Sequence, residues 1–381
     1  MGPRFGPRGK GLFVKLFIQP DDGIEPLLQA IAAAKKSIRI LIFRIDRSEI
    51  EKALMDAVER GVSVQALIAF TNRGGEKNLR RFEMRLLEKG ITVTRTAADL
   101  VRYHGKMLII DGKELYILAF NYSHLDVQLS RSFGVSTTER NVVKEAIKLF
   151  DCDVKRIPYS AGCNDLVVSP VNARRELVKF ISGAKKQILM YEMKISDREF
   201  LKLLHEKISQ GVDVRVIGQT SARGNSLSAR KLPIRLHARA IIRDKKSAFL
   251  GSQSLRRVEL EVRREIGIIF SDQHVVKQMI SVFDKDWRSA VPAVASTLSV
   301  LDAPANKVAK VVAKRINVDT KVEQVLDKVL DSDSEVAFEP KEIVENVREA
   351  FREEVHDAVV HAIKELSGEA AHSKSAATAK P

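Results

Sequence analysis

The chain is poor in the residues that staple a fold or span a membrane. Only Cys152 and Cys163 are cysteines among 381 residues. That excludes a disulfide scaffold and a cysteine-built zinc cluster, and it fits free thiols in a reducing compartment. Tryptophan occurs once, at Trp287, and aromatics make up 6% of the chain, so stacking platforms for single-stranded nucleic acid are not evident. Apolar runs such as Met107–Ile110 are short, against the roughly 20 residues a spanning helix needs. The first ten residues are basic but lack the apolar core of a secretory signal. The expectation is a cytoplasmic protein, at most peripheral at a membrane.

Positive charge, by contrast, is in surplus. The chain carries a formal +15, unevenly spread. Residues 291–381 hold 12 Lys and Arg against 16 Asp and Glu, whereas the first 290 residues hold 52 against 33, a surplus of +19. A basic body suits nucleic acid, acidic lipid or a phosphate ester, with solubility as the plainer alternative. The length predicts two or three domains.

Self-similarity organises the chain. Ala34-Lys35-Lys36-Ser37-Ile38 recurs as Ala184-Lys185-Lys186-Gln187-Ile188, and Gly61-Val62-Ser63-Val64 as Gly211-Val212-Asp213-Val214, both 150 residues on. His104-Gly105-Lys106 with Asp111 recurs as His237-Ala238-Arg239 with Asp244, 133 residues on, as does Gly134 at Gly267. The second copy is therefore 17 residues shorter before its histidine.

Periodicity predicts helices over 24–36, 49–60 and 76–89 and buried strands at 38–43 and 62–69. A hairpin at Asp111-Gly112 joins strands 107–110 and 115–120. The second copy predicts strands near 187–192, 212–217, 239–243 and 247–251. Alternating strands and helices predict an α/β fold with one largely parallel, helix-covered sheet per copy. The expected divisions are 12–150, a linker at 152–166 with Pro158 and Gly162, and 166–290. Apolar stripes predict a helical extension over 305–366, followed by a disordered tail at 367–381.

The chemistry lies in the paired histidines. Residues i and i+2 on a strand share a face, so His104 should meet Lys106, and His237 should meet Arg239. Asn121 and Ser254 each follow their histidine by 17 residues, and Ser254 is preceded by Gly251-Ser252. A pseudo-two-fold packing would gather these side chains in one cleft. Such a set suits a phosphodiester: one histidine attacks phosphorus and the other protonates the leaving oxygen, while cations and polar donors hold the phosphoryl oxygens. No metal or other cofactor is required. Asp111 and Asp244 end strands at turns, which points to a structural role. The other six histidines lack this context, although His124 lies close to Asn121 in sequence.

These motifs resemble the phospholipase D superfamily, whose signature is H-x-K-x4-D followed by G-S-x-N, present twice. Copy one reads HGKMLIID with Leu118-Ala119-Phe120-Asn121; copy two reads HARAIIRD with Gly251-Ser252-Gln253-Ser254. The segments IEPLLQAIAAAKKSIRILIF and ALMDAVERGVSVQALI are similar to the opening of bacterial phospholipase D-like and cardiolipin synthase-like proteins. The resemblance implies two tandem α/β/α repeats about a pseudo-two-fold and a covalent phosphohistidine formed without metal. It implies catalytic roles for His104, Lys106, Asn121, His237 and Arg239, and substrate contacts from Ser252 and Ser254. It also implies an acidic or amide residue that orients a histidine across the repeat interface. Glu265 stands 21 residues after Asp244, where copy one has Ser132. If the pairing crosses the interface, Glu265 serves His104 as nucleophile and Ser132 leaves His237 as general acid.

Three functions follow from the resemblance. The leading one is a phosphodiesterase or phosphatidyltransferase acting on phospholipid, with peripheral contact to an anionic membrane. The alternatives are a nuclease of the same superfamily and a catalytically weak scaffold that binds phosphorylated ligands, with Arg239 and Ser254 departing from the signature.

Overall fold

The computed structural model describes residues 12–70, 76–220 and 227–292. The expected helical extension and disordered tail lie outside them. The described part falls within one compact unit, Met1–Ala293.

The first copy runs β1 (Lys15–Gln19), α1 (Glu25–Ala33), β2 (Ser37–Ile42), α2 (Ser48–Glu59) and β3 (Ser63–Ile68). It continues with α3 (Glu76–Glu88), β4 (Thr92–Arg95), β5 (Arg102–Tyr103), β6 (Met107–Ile110) and β7 (Glu114–Leu118). Then come α4 (His124–Gln128), β8 (Ser130–Thr137) and α5 (Arg140–Lys155). The second copy opens with β9 (Leu166–Val168), α6 (Ala173–Ser182), β10 (Gln187–Ile195), α7 (Arg198–Ser209) and β11 (Asp213–Thr220). It goes on through β12 (Ser228–Lys231), β13 (Arg235–Leu236), β14 (Ala240–Arg243) and β15 (Ser247–Gly251). It ends with α8 (Arg257–Glu261), β16 (Arg263–Arg264), β17 (Ile266–Phe270), α9 (Gln273–Ser289) and β18 (Val291–Pro292). The 17-residue shortfall has a physical identity: among the described residues the second copy has no counterpart of α3.

The sheets have matching orders, β1-β8-β7-β6-β2-β3-β4 and β9-β17-β15-β14-β10-β11-β12-β18. Both sheets are mixed, and not largely parallel as the alternation of strands and helices predicts. β2, β3 and β4 pair in parallel, as do β10, β11 and β12. The other main-path pairings, from β2·β6 out to β1 and from β10·β14 out to β9, are antiparallel. The hairpin at Asp111-Gly112 reverses the chain, and β8 then folds back on β7, so half of each sheet is a meander. The expected linker also narrows, because α5 continues to Lys155.

Each sheet is covered on both faces. Ile38, Ile40 and Ile42 of β2 point to α1 and α2, whereas Leu41 points the other way into a central core. That core joins both copies: Ile109, Phe133 and Val135 share it with Leu189, Tyr191 and Ile268, and α5 and α9 contribute Leu149 and Phe283. Burying each such side chain stabilises the fold by about 1.5–3 kcal/mol, so the interface between copies is a hydrophobic core in its own right. Among the described residues no helix is long and apolar enough to cross a membrane.

Candidate active site

Each histidine is carried by its own copy and fastened to the other. β5 pairs in parallel with β16, and the carbonyl of Arg264 accepts the N–H groups of His104 at 2.8 Å and Gly105 at 3.0 Å. β13 pairs in parallel with β8, and the carbonyl of Arg131 accepts the N–H of His237 at 2.9 Å. These contacts match at the 133-residue offset, so the same backbone device operates in both directions across the interface. Two ion pairs brace it from behind: Arg131 holds Asp286 at 2.8 Å and Arg264 holds Asp153 at 3.1 Å.

His104 is fixed on both ring nitrogens. Nδ1 lies 3.0 and 2.9 Å from the two carboxylate oxygens of Glu265, and Nε2 lies 2.8 Å from Lys106 Nζ. An ammonium only donates and a carboxylate only accepts. The consistent tautomer therefore carries its proton on Nδ1 and its lone pair on Nε2. Phe43 packs edge-on against the ring, with centroids 4.6 Å apart. His104, Lys106 and Glu265 are all buried. Burial first, then the charges of Lys106 and Arg239, holds His104 well below the usual imidazole range. Burial likewise pushes Lys106 well down, and burial together with Glu259 pushes Glu265 up to about 7.

His237 has a different neighbour from the one expected. The Ser132 hydroxyl donates to the backbone carbonyl of His237 at 2.6 Å. The ring Nδ1 stands 3.2 Å from Asp126 Oδ2, outside hydrogen-bonding alignment. Asp126 also accepts from Arg235 at 2.6 Å and from the backbone N–H and side-chain amide of Asn121 at 2.8 and 2.7 Å. Burial opposes ionisation of Asp126, but His237, Arg235 and Asn121 together hold its carboxyl below the usual range. Burial pushes His237 well down against the pull of Asp126, and Arg235, Arg239 and Lys106 add to the depression. Both imidazoles thus feel Lys106 and Arg239, which places the four groups within electrostatic reach of one another.

The remaining side chains fill two matching niches. Asn121 presents a buried Oδ1 with no hydrogen-bond partner. Arg239 donates from Nε to Ser254 Oγ at 3.1 Å, and its buried Nη1 has no partner. The Ser252 hydroxyl is engaged by the backbone of Ile266, at 3.1 Å from its N–H, and by Glu265. Asp111 and Asp244 sit on the hairpins at φ 53. Their carboxylates accept the N–H groups of Lys35, Lys36 and Ser37 and of Lys185, Lys186 and Gln187, at 2.7–3.1 Å. His124 is exposed at the start of α4. Among the described residues, no group of three or more His, Cys, Asp or Glu is arranged to hold a metal.

Sequence reasoning missed Asp126, Glu259 and Glu192. The first two were within reach, because Asp126 recurs as Glu259 at the same 133-residue offset and each accepts a backbone N–H, from Asn121 and from Ser254. Glu192 has no mark in the sequence beyond an acidic residue at the end of an apolar run.

A family model described as cardiolipin synthase, phospholipase D-like domain, matches residues 27–154 and 177–287. Cardiolipin synthase 1 of Bacillus anthracis is 22% identical over 346 residues, covering 74% of this chain and 68% of that protein. A polyphosphate kinase of Prosthecochloris aestuarii is 26% identical over 223 residues, covering 53% of this chain and 31% of that protein. The chain thus spans about a third of such a kinase. Among solved structures, the polyphosphate kinase of Porphyromonas gingivalis shares the fold at a TM-score of 0.62 and 18% identity, over 75% of this chain and 53% of that one. Phosphatidylserine synthase of Haemophilus influenzae shares it at 0.57 and 10% identity, over 73% of this chain and 87% of that one. With both copies matched by the family model and both histidine motifs joined at one interface, the chain belongs to the phospholipase D superfamily.

Proposed function

We propose that the protein is a metal-independent phosphodiesterase or phosphatidyltransferase that acts on phospholipids through a phosphohistidine at His104. The observation that carries this reading is the polarised imidazole, with Nδ1 on Glu265 at 2.9 Å and Nε2 facing Lys106 at 2.8 Å. Nε2 attacks phosphorus, the bond from phosphorus to the head-group oxygen breaks, and that oxygen takes a proton from His237. Glu265 stabilises the positive charge that the ring acquires. Lys106 and Arg239 hold the phosphoryl oxygens as charge develops. Water or an alcohol then attacks the phosphohistidine, returns a proton to His237 and releases His104. Water gives hydrolysis and an alcohol gives head-group transfer. The anionic diester raises the proton affinity of His237, which burial had lowered, and so prepares it as an acid.

Cardiolipin synthase 1 among the relatives, matched over 68% of its length, supports the lipid substrate. A second reading is phosphoryl transfer at a phosphoanhydride. It is favoured by the four cations acting on His104, namely Lys106, Arg239, Arg263 and Arg102, and by the polyphosphate kinases among the relatives. An activity panel separates the readings: labelled phosphatidylcholine, phosphatidylglycerol, polyphosphate and single-stranded DNA, each with wild type and His104→Ala. The expected result is phospholipid turnover that His104→Ala abolishes. Turnover confined to polyphosphate or DNA, or turnover that survives His104→Ala, overturns the lipid reading.

A further inference from the structure

The second copy carries Arg239 and Ser254 where the first carries Lys106 and Asn121. The exchange does not stand alone. In β2, Ile42 lies opposite Ile68 of β3; at the matching register in β10 and β11, Glu192 lies opposite Gly218. The carboxylate of Glu192 is buried, 2% exposed, and it is anchored. Its Oε2 accepts the N–H of Leu255 at 3.0 Å and its Oε1 accepts that of Lys194 at 3.4 Å, while the guanidinium of Arg239 and the hydroxyl of Ser254 favour its ionised form. Ser254 Oγ in turn accepts Nε–H of Arg239. Gly218, at φ +144, lets the two strands approach closely at this point, because an added Cβ would collide with the backbone carbonyl oxygen of Glu192.

Physical chemistry explains why these residues go together. Serine reaches less far than asparagine, and the longer arginine crosses the difference. A hydroxyl that donates to a carboxylate turns a lone pair to the guanidinium. The buried guanidinium, which cannot be deprotonated, acts on two carboxyl groups: Glu192, which burial pushes up to about 7 against the pull of Arg239, and Glu259, which Arg239, Arg263 and Arg256 hold below the usual range against burial. The site thereby keeps one fixed positive charge beside Lys106, whose proton burial makes easier to lose.

We propose that Glu192 is a positioning residue: through Ser254 it holds Nε of Arg239 so that Nη1 is left to grip a phosphoryl oxygen, and Glu192, Ser254 and Arg239 act as one unit in place of the Lys–Asn pair of the first copy. This rests on the proposed reading of the site as one that takes a phosphodiester. The test is calorimetric binding of inorganic phosphate to the full chain, with thermal unfolding recorded alongside. Glu192→Ile should weaken binding by roughly tenfold, the order expected for a hydrogen bond to a charged group. Glu192→Gln, the milder change, should move affinity in the same direction.

The deciding variant is Glu192→Ile with Ser254→Asn and Arg239→Lys, which gives the second copy the residues of the first. It should bind phosphate within about threefold of wild type, against the roughly tenfold loss of the single change. Residues that merely support the fold would give a triple variant no better than Glu192→Ile, and that result overturns the inference. Unchanged affinity in both Glu192 variants also overturns it. A wild type that binds no phosphate overturns the inference, and turnover of a diester then decides separately whether the function beneath it stands. Phosphate binding that follows the predicted pattern, with no turnover on any diester, sinks the proposed activity and leaves the grip standing.

Discussion

A neutral imidazole has one lone pair to offer, and at His104 its position is set by Glu265 on one side of the ring and Lys106 on the other. His237 faces Asp126 without an aligned hydrogen bond. The contrast between the two rings therefore lies in alignment, since both stand next to a carboxylate, and on the proposed mechanism that contrast separates nucleophile from acid. Both histidines are held below their ordinary value of 6.5 in the free protein. The pH profile of kcat/KM reports the free enzyme, so its maximum should fall on the acid side of pH 6.5. Asp126 favours the protonated form of His237. Asp126→Asn should accordingly shift the alkaline limb, which needs His237 protonated, to lower pH. A limb that stays in place or moves to higher pH would show that Asp126 does not act on the acid.

At the scale of elements, the two hairpins show how a turn residue ties a sheet together. Asp111 and Asp244 adopt φ 53 and cap the starts of β2 and β10 with three backbone N–H groups each. Hydrogen bonds to an ionised carboxylate are worth about 1.5–3 kcal/mol, so Asp111→Ala should lower the unfolding free energy in urea by about 2 kcal/mol. A loss below about 0.5 kcal/mol would show that water replaces the carboxylate at no cost. The hairpin turn was legible in Asp111-Gly112, and β2, β3, β6 and β7 in their apolar runs. Strand direction was not, because an apolar run records burial and carries no sign of its partner. β8 was hidden for another reason: Ser130, Arg131, Ser132, Ser136 and Thr137 are buried within it, so its sequence reads as a polar loop. The same concealment applies to Glu192, whose carboxylate is buried on the N–H of Leu255, 63 residues away, whereas Asp126 and Glu259 were marked by their shared offset. The histidine pair was legible because the repeat supplies its own internal comparison, and Glu265 because the family resemblance implies an acidic residue after the motif.

At the scale of the whole described fold, the central core and the paired histidines share one interface. Phe133 of the first copy packs on Tyr191 of the second with ring centroids 5.0 Å apart, and both belong to the core common to the two sheets. Phe133→Ala should therefore destabilise both copies together, by about 3–5 kcal/mol, in a single transition. Two separated unfolding transitions would show that the copies are independent. The matched pairings β5·β16 and β13·β8 pass each histidine's backbone to the opposite copy, and Glu265 reaches His104 across that interface. On this account neither copy can form the nucleophile alone. The most direct test is to trap the intermediate: incubate the protein with a diester labelled at phosphorus, quench in alkali, digest, and locate the label. The account predicts a labelled peptide carrying His104, lost in His104→Ala. Label on the peptide carrying His237, or turnover with no labelled histidine, would contradict it.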